Sequence, residues 1–436
     1  MKPSLPIYLL LLFFCISGKP DSNKTPSFIE VRGNQFYKNN KPYTFLGTNF
    51  WYGMNLGSKG PGGNRQRLIR ELDRLSALGV KNLRVVAGSE GPDTEPYRML
   101  PSLQTSPGKY NVEVLEGLDF LLAEMSKRDM VAVMCMNDFW NWSGGMAQYL
   151  VWAGAANSIP YPPPNPGGDW WKFQNFSAQF YSNEKAVEMF NNHLRFIVNR
   201  KNSITGKLYK EDPTIFSWEL GNEPRGVTNQ VAFLSWVDYT AGLIKSLDKN
   251  HLVTTGSEGN TSSSTSGTDV VKDHLSKNID YATIHIWVQN WGFYNPAKPD
   301  ETYQPALDYA LNYMQNHLKL AAPLNKPVVL EEFGISRDGN NHAEGTPVTV
   351  RDKYYAALFT TVADHLKKPN NALAGVNFWA WAGEGRPRVP EGLWKSGDNF
   401  IGDPPHESQG WYSVYDTDNS TKQVIKKYAA IINHKD

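Results

Sequence analysis

Cysteine, net charge and long apolar runs are all scarce in this chain. Its 436 residues include only two cysteines, Cys15 and Cys135. If Cys15 leaves with an N-terminal leader, Cys135 stands alone and no internal disulfide can form. Cys135 lies in an apolar run and reads as a buried core residue. Lysine and arginine number 44 against 43 aspartates and glutamates, a net charge of +1, which excludes the basic footprint of a nucleic-acid binder. Nine histidines are present and none falls in an H-E-x-x-H arrangement, so no metal or other cofactor is expected. The apolar run at residues 5–14, after a charged start, is too short to span a bilayer but suits a signal peptide. Residues 1–18 are therefore read as a leader cleaved after Ser17 or Gly18, and the protein as secreted, with no transmembrane segment once the leader is gone. Lipid anchoring through Cys15 is the alternative, although bulky Phe14 stands where a small residue is expected.

With 40% hydrophobic and 20% charged residues, the remainder fits one large globular domain over residues 28–436, after a polar segment at 19–27. Strand-like and helix-like patterns alternate along it. Leu68, Leu72, Leu75 and Leu78 recur at helical spacing and are closed by Gly79, and the run at 81–86 that follows is strand-like. Further strands are read at 43–49, 131–137, 252–255, 280–285 and 374–379, with helices at 186–200, 231–246, 303–320, 351–366 and 422–432. Such alternation argues a parallel α/β architecture. Two long loops interrupt it. One, at 138–172, carries the proline run from Pro160 to Pro166 and reads as a structureless functional loop; the other is at 398–412. No internal repeat or linker to a second domain is visible.

Two apolar strand-like runs end in carboxylates. Ile215-Phe216-Ser217-Trp218-Glu219-Leu220-Gly221 leads into Asn222-Glu223-Pro224, and Val328-Val329-Leu330 into Glu331-Glu332-Phe333-Gly334. A proline just past the first run holds Glu223 at a strand end rather than inside a helix. A lone strand-end glutamate is most often a solvated rim charge. A pair remote in the chain, each with its own closing residue, is the equipment of glycoside hydrolysis, in which one carboxyl protonates the leaving oxygen and the other attacks or activates water. Strand alternation points Glu219 and Glu331 elsewhere.

These motifs resemble glycoside hydrolase family 5 of clan A, whose fold is a (β/α)8 TIM barrel. The resemblance implies that Glu223 is the acid/base and Glu332 the nucleophile. Residues 28–36 with the Asn39-Asn40 turn read as an N-terminal hairpin of the kind that plugs a barrel's floor, and the long loops follow strands three and eight. Arg84, ending strand two, is implied to support the nucleophile and keep it ionised. Asn222 is implied to bond the sugar 2-hydroxyl, His285 to lie beside the catalytic pair, and Trp379 to floor the cleavage site. The family commonly has a tyrosine two residues past that histidine; here Trp287 stands there, and its indole N–H could donate the same bond.

In a β/α barrel the functional face is built by loops that follow strands. All of the 14 tryptophans except Trp218 and Trp236 fall at or beyond a strand's C-terminal end, Trp51 at the end of the first among them. A trench of aromatic faces suits pyranose rings and implies a polymer. Trp140-Asn-Trp-Ser-Gly-Gly-Met-Ala-Gln-Tyr149, Asn202-Ser-Ile-Thr-Gly-Lys-Leu-Tyr209, Asp212-Pro213 and Gly383-Glu-Gly-Arg-Pro387 are similar to the endo-β-1,4-mannanase branch. In that branch Trp140 matches a stacking residue and Arg225 an arginine on the leaving-group side. The expectation is a secreted, monomeric, retaining endo-β-1,4-mannanase acting on β-mannan. A β-1,4-glucanase of the same fold and a non-catalytic sugar-binding barrel are the alternatives.

Overall fold

Eight short, fully buried strands run parallel in the computed structural model, which describes residues 27–433. They are β1 (Phe45–Asn49), β2 (Asn82–Val86), β3 (Val131–Cys135), β4 (Ile215–Glu219), β5 (Leu252–Thr254), β6 (Ala282–Ile286), β7 (Val328–Phe333) and β8 (Leu373–Phe378). In spatial order they run β5-β4-β3-β2-β1-β8-β7-β6. Two backbone bonds, Asp280 N to Val253 O at 2.8 Å and His285 N to Glu258 O at 3.0 Å, tie the ends together. The sheet is thus a nearly closed barrel, as the alternating pattern and the resemblance imply.

Helices wrap the outside: α1 (Arg65–Ala77), α2 (Val112–Ser126), α3 (Glu184–Val198), α4 (Gln230–Leu247), α5 (Pro299–Ala321), α6 (Thr349–Leu366) and α7 (Asn419–Ile432). Asparagines start three of them: Asn64, Asn111 and Asn183 each accept a bond from a backbone N–H of the first turn, satisfying groups that have no partner within the helix. Leu68, Leu72 and Leu75 turn one face of α1 inward, and Gly79, at φ 83°, ends it in a conformation that costs glycine nothing. Between β5 and β6 there is only a single 3-10 turn, Lys272–His274. Residues 256–268 are mostly glycine, serine and threonine, which favour turns over helix.

The N-terminal segment forms three antiparallel strands, Glu30–Arg32, Gln35–Lys38 and Lys41–Tyr43. Asn39 and Asn40 both hold positive φ, 55° and 61°, as a tight hairpin turn requires. Phe36 is fully buried against Phe45, Phe216 and Tyr281 at the N-terminal end of the strands, so the hairpin closes the floor as expected. One expectation fails. The stretch 138–172 is not structureless: it contains the helix Gly145–Trp152 and the start of another, Trp170–Ser177. Met146, Ala147, Tyr149 and Leu150 anchor the first in the core, and the Asp169 side chain caps the second. Residues 138–144 and 153–169, the latter with the prolines, stay irregular. Among the described residues no helix is long and apolar enough to cross a membrane. The leader expected at 1–18, with Cys15, lies outside the described residues.

Candidate active site

Each barrel strand delivers one or more polar or aromatic groups to the same mouth. Asn49 comes from β1, Arg84 from β2, Asp138 from just past β3, and Asn222 and Glu223 from just past β4. Glu258 follows β5, His285 lies on β6, Glu332 on β7, and Trp379 just past β8. One ligating atom each from Glu223, His285 and Glu332 lie within 4.8 Å of one another. The two carboxyls that are remote in sequence therefore meet across one small gap.

Glu223 sits at φ 49°, a strained region for a residue with a side chain, of the kind that concentrates at functional sites. Its backbone is held there by a bond from its N–H to Gly256 O at 3.0 Å. Trp140 Nε1 donates to its Oε2 at 2.6 Å and His285 Nδ1 to its Oε1 at 2.7 Å. Glu332 accepts from Arg84 Nη1 on one oxygen and from Trp287 Nε1 at 3.2 Å on the other. Trp287 thus supplies the bond that its indole makes possible. Arg84 is almost wholly buried and spends every N–H: on Glu219, Glu332, Asn49 and Asn222. Asn222 gives its amide N–H to Asp138 at 3.1 Å, so the side chain is locked between Arg84 and Asp138.

Charges around the pair oppose burial. Burial disfavours a charge on His285, but Glu332, Glu223 and Glu331 around it outweigh that and raise it to about 10. Burial would also lift Glu223; His285, Arg225 and the Trp140 N–H overcome it and hold the carboxyl at about 2. For Glu332 burial wins over His285 and Arg84 and pushes it up to about 8. The hydrogen bonds point the other way: every partner of Glu332 is a donor, so a proton there would meet only other protons. The bonding pattern is specific to the carboxylate, the ionised form of Glu332. With both ring nitrogens facing carboxylates, His285 is an imidazolium, and its Nδ1 proton lies one hydrogen bond from Glu223.

The mouth opens into a cavity of about 550 Å³ lined by both glutamates and by Trp140, Trp142, Trp170, Trp287, Trp291, Trp379 and Trp411. The expectation that tryptophans gather on this face holds for these. Trp51 is a correction: it is 2% exposed, does not line the cavity, and gives its N–H to Gly402 O at 3.0 Å. It packs edge-on against Trp142 and so supports a lining residue rather than facing a ligand. Trp381 and Trp394 are likewise packing residues, bonded to Glu71 and stacked on Phe400. Arg225 lines the cavity, stacks over Trp140 and is held by Glu258 through two bonds of 2.7 and 2.8 Å.

Glu219 and Glu331 are a second correction. Both are fully buried and face Arg84, and Glu331 also faces His285. Alternation fails at β7 because the ladder with β6 shifts register between Ile284 and His285; such a bulge re-aims side chains. Sequence reasoning also missed Asp138, Glu258, His406 and Glu407. Asp138 and Glu258 carry a signal, since each closely follows a strand; His406 and Glu407 sit deep in the loop after β8 with none. Among the described residues, His406 Nδ1, Glu407 Oε2, Trp379 Nε1 and Trp411 Nε1 are buried and have no protein partner. All four residues line the cavity.

Comparison with known proteins follows the same lines. The family model described as GH family 5 beta-mannosidase-like matches residues 26–436. A mannan endo-1,4-beta-mannosidase of Solanum lycopersicum is 30% identical over 408 residues, which span 88% of this chain and 89% of that protein. One from Arabidopsis thaliana is also 30% identical, over 89% and 84%. A crystal structure of a glycoside hydrolase family 5 mannosidase from Rhizomucor miehei superposes with a TM-score of 0.86 at 40% identity, covering 94% of this chain and 98% of that one.

Proposed function

Because the chain belongs to the GH family 5 β-mannosidase-like family of glycoside hydrolases, we propose that it hydrolyses β-1,4-mannosidic bonds with retention of configuration, cutting within mannan chains. The observation that carries this is the approach of Glu223 and Glu332 within 4.8 Å at their nearest atoms. Retaining pairs stand about 5–5.5 Å apart, whereas inverting pairs leave about 6.5–9.5 Å for a water. In the first step a Glu332 oxygen bonds the anomeric carbon as the glycosidic C–O bond breaks, and Glu223 gives its proton to the departing oxygen. In the second, Glu223 takes a proton from water, the water oxygen bonds the anomeric carbon, and the ester to Glu332 breaks. The proton that Glu223 needs reaches it from His285 Nδ1 over the 2.7 Å bond, and the proton taken from water in the second step returns to Nδ1 by the same bond. Arg84 and Trp287 balance the charge that Glu332 gains and loses, as preorganised donors do best in a buried site. In this reading Asn222, locked by Arg84 and Asp138, bonds the 2-hydroxyl, and Trp379 and Trp140 face sugar rings.

Mannan as substrate is supported by the names of the plant relatives, and cleavage within the chain is what those names describe. A second reading, removal of mannose from short chains, has its own support. The cavity is walled by Pro163 and Pro164 on one loop and by Pro404, His406 and Glu407 on another. Its volume suits a small ligand, for which cavities run about 300–1,000 Å³. The 40%-identical Rhizomucor miehei protein is called a mannosidase, and a mutant of it was crystallised with mannosyl-fructose. Mannohexaose labelled at its reducing end separates the two. Labelled products of two to four units in the first minutes support internal cleavage; a ladder losing one mannose at a time supports the second reading. Cleavage of carboxymethyl-cellulose with none of mannohexaose overturns both. Export through a leader at 1–18 belongs to the same proposal, and the N-terminal sequence of the protein recovered from culture fluid tests it.

A further inference from the structure

The reaction as proposed leaves one buried acid at the site without a part. Glu331 precedes Glu332 on β7, and regular alternation would send the two to opposite faces. The register shift against β6 pairs Ile284 with Leu330 but His285 with Glu332, leaving Glu331 as the extra residue. Both carboxyls consequently face the same imidazole. Glu331 Oε2 is 3.5 Å from His285 Nε2, while on the other edge of the ring Nδ1 meets Glu223 Oε1 at 2.7 Å. Glu331 is fully buried, and among the described residues its Oε1 has no partner.

Arg84 is a positive neighbour of Glu331, but it does not account for the whole of this placement. Arg84 Nε is 3.7 Å from Glu331 Oε2, beyond hydrogen-bond distance, and its N–H groups are already used by Glu219, Glu332, Asn49 and Asn222. We propose that Glu331 is a positioning residue, acting through His285 Nε2 to keep the imidazole doubly protonated and turned so that Nδ1 holds the proton Glu223 uses. The proposal rests on the retaining mechanism given above. Its logic is one of charge. Glu223, Glu332 and, at longer range, Glu258 also face His285, but Glu223 must give up its charge when it becomes the acid, and Glu332 must give up its own when it bonds the sugar. Of the three carboxylates within 4.0 Å of a ring nitrogen among the described residues, Glu331 alone keeps its charge through the cycle. Its own surroundings are Arg84, Glu219 and His285, with Tyr281 and His274 farther off.

The test is the pH dependence of kcat/KM on mannohexaose for the wild-type protein and Glu331→Gln. The amide fills the same space without the charge, so His285 should lose its proton sooner on the alkaline side. The basic limb is expected to move down by about one pH unit or more, and kcat at the optimum to fall roughly tenfold or more, with KM little changed. In a His285→Ala background the same substitution should shift nothing. A purely structural role would lower activity at every pH alike, and an unshifted basic limb overturns the proposal. Should Glu331→Gln fail to fold, selectively ¹⁵N-histidine-labelled wild-type protein gives the answer by NMR. A His285 ring protonated on both nitrogens at pH 8 is expected; a neutral ring at pH 7 overturns the proposal. A wild-type protein unable to cleave mannohexaose would instead overturn the functional reading, so the two failures are distinguishable.

Discussion

Replacing Trp287 with phenylalanine removes one N–H from the site and keeps most of the ring. That N–H reaches Glu332 Oε2 at 3.2 Å, while Arg84 holds the other oxygen. The ring packs edge-on against Trp379 at 5.7 Å and beside Tyr412 at 5.2 Å, contacts that a phenyl ring retains in part. Hydrogen bonds to charged groups contribute about 1.5–3 kcal/mol, and a bond at the long end of the normal range belongs near the lower figure. A loss of about 1.5 kcal/mol corresponds to roughly tenfold in rate. Steady-state kinetics on mannohexaose should therefore show kcat down about tenfold with KM changed by less than about threefold, and a melting temperature close to wild type. Trp287→Tyr, which restores a donor, should fall between the two. An unchanged kcat, or a loss confined to KM, would refute the view that this indole balances charge on the nucleophile.

Glu258→Ala leaves Arg225 buried without its carboxylate; stability should fall by about 3 kcal/mol in denaturant titrations, with KM raised because Arg225 loses its anchor. Phe36→Ala empties a fully buried site under the barrel. It should cost about 3–5 kcal/mol yet leave kcat at 25 °C unchanged, because the floor lies at the opposite end from the chemistry. His193 is buried and neutral, held at about 4 by burial. The unfolded chain binds its proton near 6.5, so the stability this group contributes is present above that pH and lost as pH falls toward 4. Relative to His193→Gln, wild type should lose roughly 3 kcal/mol between pH 6.5 and 4; a parallel pair of stability curves would contradict the assignment.

The alternation of apolar runs made the barrel legible, and the strand-end position of Glu223 and Glu332 made their meeting legible. Arg84, Asn222, His285, Trp287, Trp379, Trp140 and Arg225 were singled out by the family resemblance, and the fold sets each on the mouth of the barrel. The inward turn of Glu331 was not legible, because it depends on a bulge between β6 and β7 that leaves no mark in the pattern of residue types. Trp51 misled because a strand-end tryptophan can as easily pack beneath a loop as face a ligand, and the loop contributing Gly402 is remote in the chain. The helices Gly145–Trp152 and Trp170–Ser177 were hidden between prolines and glycines, where short amphipathic turns are stabilised by the packing of Met146, Tyr149 and Phe173 rather than by propensity. His406 and Glu407 reach the cavity only through the folding of the long loop after β8, which no local signal specifies.

Trapping of the glycosyl intermediate tests the central claim most directly. A 2-deoxy-2-fluoro-β-mannosyl donor with a good leaving group forms the first ester at a useful rate and slows its hydrolysis, because the electronegative fluorine destabilises the oxocarbenium-like transition state of both steps. Mass spectrometry of the intact protein should show one added fluoromannosyl group, and peptide mapping should place it on Glu332, with no adduct in Glu332→Gln. A label on Glu223 or any other residue, or turnover without a covalent adduct and with inverted product, would contradict the account.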